Sequence, residues 1–206
     1  MGQENAPIGV VLAGGRGRRI GGGKAVVELH GRPLLSYPVA VLRAALGEVV
    51  VVAKAETELP SLPGVAVWVE PDEPRHPLAG IVHALGAAGG RPLVVLAGDL
   101  PFATVALARA LADADAGGRP AVVPRAGGRL QPLAARYDAA AAAPLAGALA
   151  RPPEPLRTTV AALRPAVVEV ADEAPFFNVN LPEDLLTATA MMDRRARRDP
   201  DAPASR

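Results

Sequence analysis

Cysteine is absent from the 206 residues, which excludes a disulfide scaffold, thiolate catalysis and cysteine metal sites and fits a reducing compartment. Aromatic residues make up only 3%, so Ala, Val and Leu have to fill the interior. That bias suits helices packed on a parallel sheet better than an all-β sandwich. Neither sign of charge dominates, since 22 Lys and Arg stand against 21 Asp and Glu for a formal net charge of +1. No whole-molecule field draws the chain to nucleic acid or to an anionic membrane, and any phosphate binding has to be local. No apolar run approaches the roughly 18–20 residues of a membrane span. The opening MGQENAP also lacks the basic start and apolar stretch of a signal peptide, so a cytoplasmic protein is expected. The three histidines, His30, His76 and His83, share no spacing that suggests a metal site; solvated or capping roles are expected of them.

What is plentiful is aliphatic: half the chain is hydrophobic, ample for a core. Gly 21 and Pro 22 together are about a fifth of the residues, below the roughly 25–30% that marks low-complexity disorder. Short β-branched runs at 8–12 and 48–53 read as buried strands, and those at 65–69 and 92–97 as further strands. Between them lie helical patterns from Pro33 to Leu46, over 78–88 and over 105–116, the last closed by Gly117 and Gly118. Strands alternating with helices predict an α/β fold, a Rossmann-like three-layer sandwich on a mostly parallel sheet. The alternation then loosens. Strand candidates at 121–123, 130–136 and 166–170, with helices near 139–149 and 182–192, predict a mixed sheet with an antiparallel edge. The prolines of 151–155 make a connection bordering a small lid. Residues 1–192 read as a single domain and 193–206, DRRARRDPDAPASR, as a disordered tail.

Three segments carry chemistry. The first is LAGGRGRRIGGGK, residues 12–24, directly after the first strand. Open parallel sheets bind ligands at the carboxyl ends of their strands, and glycine there lets backbone N–H groups approach phosphate oxygens. A Walker A loop is excluded because Arg18 and Ala25 stand where it needs Gly and Ser or Thr; the dinucleotide fingerprint fails because Ile20 stands at its third Gly. Distinctive instead is cation density, with Arg16, Arg18, Arg19 and Lys24 in one loop. The second segment is Gly98, Asp99, Leu100, Pro101, Phe102. A carboxylate at the carboxyl end of a buried strand is placed to hold Mg²⁺, or else to cap the next turn. The third is PFFNVNLP, 175–182, where Asn178 and Asn180 point the same way from an extended chain, toward a ligand or toward capping the last helix.

In this order the segments resemble the molybdenum cofactor guanylyltransferase family of the nucleotidyltransferase superfamily. The likeness runs from Ile8 to about Thr187. It rests on LAGG at 12–15, Arg19, Gly21 and Lys24, then GRPL at 31–34, PLAG at 77–80, DLPF at 99–102 and NVNLPEDL at 178–185. The resemblance implies transfer of GMP from GTP to the phosphate of Mo-molybdopterin, with Mg²⁺ as cofactor. It implies that Leu12, Ala13, Gly14, Gly15, Asp72 and Gly80 contact the nucleotide, with Glu70 competing for the Asp72 position. Lys24 and Arg19 would serve the phosphates, Asp99 the nucleotide and the metal, and Asn180 the metal. Contacts with molybdoenzymes or their chaperones would be transient, with no nucleic-acid or membrane partner.

The sequence departs from the family at Gly23, where an acidic residue usually precedes the lysine, at Ala53, where Asn is usual, and in the length of VEPDEPRH, 69–76. The rival readings are a cytidylyltransferase on the same cofactor, another small-molecule nucleotidyltransferase, and a nucleotide-binding protein impaired in catalysis. Ala13-Gly14-Gly15 and Asn178-Val179-Asn180 favour guanine over the cytidylyl spelling.

Overall fold

The computed structural model describes residues 6–14 and 25–198, the last of these by its backbone alone. Its centre is a sheet of the strands β1 (Ile8–Leu12), β4 (Val49–Lys54), β5 (Ala66–Glu70), β6 (Leu93–Ala97), β7 (Ala121–Ala126), β8 (Arg129–Leu130), β9 (Ala134–Tyr137) and β10 (Ala166–Glu169). Their order is β10-β7-β9-β6-β1-β4-β5, with β8 on β7. β2 (Glu28–Leu29) and β3 (Arg32–Pro33) form a separate hairpin. β1 pairs in parallel with both β4 and β6.

Alternation of side chains along β1 and β4 builds two cores. Val11, Val51 and Ala53 point to one face, under α1 (Ser36–Ala45) and α3 (Val105–Asp113). Val10, Leu12, Val50 and Val52 point to the other, under α2 (Pro77–Ala87), α4 (Ala142–Leu149) and α5 (Leu156–Ala162). A third, smaller cluster joins the hairpin to α6 (Pro182–Arg198) through Leu29, Leu34, Phe102, Val179 and Ala188. The result is the expected three-layer α/β sandwich.

Five local expectations change. The antiparallel strand is not at the edge: β9 sits inside the sheet, antiparallel to both β6 and β7, while the edge strand β10 is parallel to β7. Its predicted span of 130–136 is broken at Pro132, which lets β8 turn back on β7 before the chain crosses into the β6–β7 gap. The first helix starts at Ser36 rather than Pro33, because Arg32 and Pro33 pair with Leu29 and Glu28 across a two-residue turn. That turn, His30 and Gly31, has φ of 50° and 69°, the left-handed pair that closes a tight hairpin. The segment after the 151–155 connection is no lid, since α5 buries Leu156 and Val160 in the α2-side core. Finally, α6 continues to Arg198, so 193–198 are helical rather than tail, and 199–206 lie outside the described residues.

Candidate active site

The chain leaves β1 for β4 and β5 on one side and reaches β6 on the other, which makes the carboxyl ends of β1 and β6 a topological switch point. The two strand ends are drawn together there by Gly98 N–H donating to the Leu12 carbonyl at 3.0 Å. A Cβ on Gly98 would stand 2.7 Å from Leu35 Cδ1 and 3.1 Å from that carbonyl oxygen, so the close approach requires glycine. Over this crest opens a cavity of about 670 Å³. Its described wall includes Leu12, Ala13 and Gly14 from the end of β1, Lys54 and Glu70 from β4 and β5, Gly80 from α2, and Asp99, Asn178 and Asn180.

At the β6 end, Asp99 Oδ1 accepts from the Asn178 side-chain amide at 3.5 Å, and the Asp99 carbonyl accepts from Val179 N–H at 3.1 Å. The Asn178-Val179-Asn180 segment is thereby strapped to the turn that carries Asp99. Asp184 accepts from the N–H groups of Asn180 and Leu181, both at 2.9 Å, and so caps α6 from within. The donor set at this end is oxygen-rich and sparse. Among the described residues no group of three or more His, Cys, Asp or Glu converges. The donors that the cavity wall does offer here, the Asp99 carboxylate and the amide oxygens of Asn178 and Asn180, are hard oxygen ligands of the kind a divalent cation takes together with water and phosphate oxygens.

At the β5 end, the Glu70 side chain is 6% exposed and Lys54 Nζ lies 3.6 Å from its Oε1. Glu70 Oε2 is buried with no hydrogen-bond partner. A Cβ on Gly80 would stand 3.3 Å from that oxygen and 3.1 Å from Leu12 Cδ2, so Gly80 leaves the carboxylate its room. At the rim, Arg75 bridges the two flanking loops, with Nη2 2.8 Å from Glu56 and Nε 3.1 Å from Glu73. The Glu56 carboxylate, with Glu73 behind it, holds the guanidinium above its ordinary pKa. His76 caps α2, its Nδ1 accepting from Leu78 N–H at 3.2 Å.

Of the residues singled out from sequence, Leu12, Ala13, Gly14, Gly80, Asp99 and Asn180 share this one wall. Gly15, Arg19 and Lys24 lie outside the described residues. Asp72 is exposed on the β5–α2 loop and absent from the wall that Glu70 lines. Ala53 faces the α1-side core. Lys54 was missed in sequence; its signal was its place opposite Glu70 at the end of the next strand. A second cavity of about 300 Å³ adjoins the first, sharing Pro77, Leu133 and Asn178 and adding Gln131 and Arg157.

A switch-point crevice with a glycine-lined floor and a carboxylate at each end is where an open α/β sheet takes its ligand, and the family to which the chain belongs makes the class a nucleotidyltransferase. The chain belongs to the MobA-like NTP transferase domain family, whose model matches residues 9–167. It is 34% identical over 194 residues to a molybdenum cofactor guanylyltransferase of Cereibacter sphaeroides, covering 92% of this chain and 98% of that one. It is 36% identical to another so named from Acidiphilium cryptum, over 88% of this chain and 93% of that one. Among solved structures it is similar to the molybdopterin-guanine dinucleotide biosynthesis protein A of Archaeoglobus fulgidus, with a TM-score of 0.72, 27% identity and coverage of 91% and 99%. The fold also serves another chemistry, since the 2-C-methyl-D-erythritol 4-phosphate cytidylyltransferase of Thermus thermophilus matches at a TM-score of 0.66 and 25% identity over 91% of this chain and 99% of that one.

Proposed function

We propose that this chain transfers GMP from GTP to the terminal phosphate of Mo-molybdopterin, as a single transferase domain working in the cytoplasm. The observation that carries the proposal is the buried, unpartnered Glu70 oxygen at one end of a cavity whose other end holds Asp99. β5 lies three strand spacings from β6, roughly 14 Å, enough to lay a nucleoside triphosphate along the crest. The base occupies the Glu70 end. An unpaired buried acceptor is costly until a donor reaches it, and guanine supplies N1–H and a 2-amino group. Glu70 therefore takes the base-contacting role, rather than the exposed Asp72.

The triphosphate lies toward Asp99, and the acceptor enters through the annex, where Arg157 is the cation for its phosphate. An acceptor phosphate oxygen attacks the α-phosphorus, a new P–O bond forms, the bond to the bridging oxygen breaks, and pyrophosphate leaves with that electron pair. The chain's work is positioning two anions and neutralising their charge. Asn178 orients Asp99, and Lys24 and Arg19 serve the phosphates. Asp99, with Asn180 nearby, would hold Mg²⁺, which supplies electrostatic stabilisation of the triphosphate. Any contacts with recipient molybdoenzymes or chaperones are transient.

Asp99→Asn tests the metal half of this proposal, because Asn keeps the size and most hydrogen bonding while removing the charge. Titrating Mg²⁺ against the rate of GTP-dependent pyrophosphate release should show a large rightward shift and a lower plateau in the variant. Superimposable curves would make Asp99 a capping residue and remove it from the metal site.

A further inference from the structure

Lys54 ends β4 and Glu70 ends β5, and the two are register partners in a parallel pair, so both side chains leave the sheet on the α2 face. The Lys54 side chain is 10% exposed, and its Nζ lies 3.6 Å from Glu70 Oε1, close enough for an ion pair but longer than a hydrogen bond. Nζ donates instead to the Pro71 carbonyl, at 2.5 Å. An ammonium carries three donors. With one on Pro71 and one turned to Glu70, the third finds no hydrogen-bond acceptor among the described residues, and the side chain lines the cavity.

A lysine present only to neutralise Glu70 would make the direct hydrogen bond that adjacent, in-register strands permit, and would leave neither partner's polar atoms unsatisfied. Here the pair stops short of that bond, and Glu70 Oε2 stays buried and unpaired. The arrangement is a donor beside an acceptor, on two residues that line one cavity.

We infer that Lys54 and Glu70 together read the edge of guanine, Lys54 Nζ donating to O6 and Glu70 accepting from N1–H and the 2-amino group. This rests on the reading of the cavity as a GTP site with the base at the Glu70 end. Adenine offers the opposite pattern, an amino donor where O6 would be and a ring acceptor in place of N1–H. It would set donor against ammonium and lone pair against carboxylate, which a site built from buried polar groups rejects. Lys54 is thereby a specificity-determining residue, the donor half of the recognition.

The test measures binding of GTP, inosine triphosphate and 6-thio-GTP to the full chain with Mg²⁺, by titration calorimetry, in wild type, Lys54→Met and Glu70→Gln. Sulfur is a poor acceptor, so wild type should bind 6-thio-GTP about tenfold more weakly than GTP, and inosine triphosphate, which lacks the 2-amino group, weaker by a similar factor. Lys54→Met should lose affinity for GTP, cease to distinguish oxygen from sulfur, and keep its preference for GTP over inosine triphosphate. Glu70→Gln should lose that last preference and keep the first. An equal 6-thio penalty in wild type and Lys54→Met would overturn the assignment. Should Lys54→Met fail to fold, the wild-type ligand pair decides alone, because the absence of any 6-thio penalty is equally fatal. Failure of the underlying reading looks different: wild type would then bind ATP or CTP as tightly as GTP, and the Lys54 assignment would fall with it.

Discussion

Glu70 and Asp72 are two residues apart and chemically alike, yet burial separates them: one carboxylate is sealed in the cavity wall, the other stands in solvent. With the base placed at Glu70 as proposed, Glu70→Gln should weaken GTP binding about tenfold or more by removing a buried charge, while Asp72→Asn should stay within about twofold. Parallel titrations of the two variants with GTP check this, and equal losses would put the base elsewhere. Lys24→Ala should lower turnover on the order of 10²-fold, the usual cost of removing one preorganised group aimed at developing charge, with Arg18→Ala far milder. Single-turnover rates at saturating GTP distinguish them. At this scale the sequence showed which residue types carry chemistry but not which of two neighbouring acids is buried. The spacing VEPD is compatible with either, and only the β4–β5 register and the packing of Gly80 decide. Lys54 was silent for the same reason, because a lone lysine at a strand end reads as solvated until its cross-strand partner is known.

Among the elements, the β1–β6 junction is the least tolerant. Gly98→Ala forces its methyl group against the fully buried Leu35 and the Leu12 carbonyl. It should cost about 1–3 kcal/mol and lower Tm by roughly 2–4 °C per kcal/mol. It should also displace the Asp99 turn, so a thermal melt and a Mg²⁺ titration on one sample should move together; an unchanged melt would mean the crest has slack. The strands of the main sheet and the helices up to α3 were legible because continuous apolar runs alternate with helical spacing. The β2–β3 hairpin was legible in principle, since His30-Gly31 between short extended pairs is a tight-turn signal, but the leucines that follow masked it. α5 is only seven residues and begins after a proline, below what periodicity resolves.

Over the whole molecule, sheet order is what hydrophobic pattern cannot encode. β9 reads Ala-Ala-Arg-Tyr whether it lies at an edge or between β6 and β7, and its central place follows from long-range pairing. That placement matters, because the chain entering β9 carries Gln131 and Leu133 into the annex wall beside Asn178. Guanine selectivity should appear as a global property: GTP at about 100 times its dissociation constant adds roughly 2.7 kcal/mol, a rise in Tm of about 5–10 °C that ATP, CTP and UTP at the same concentration should not match. Among the described residues no helix is long and apolar enough to cross a membrane. The most direct measurement is pyrophosphate release by the full chain with Mg²⁺ and Mo-molybdopterin, one nucleoside triphosphate at a time, with the product identified by mass. Release is expected with GTP, dependent on the acceptor and matched one for one by the guanine dinucleotide of the cofactor. Faster turnover with CTP, or GTP bound tightly with no dinucleotide formed, would mean that the chain is not a guanylyltransferase of this cofactor.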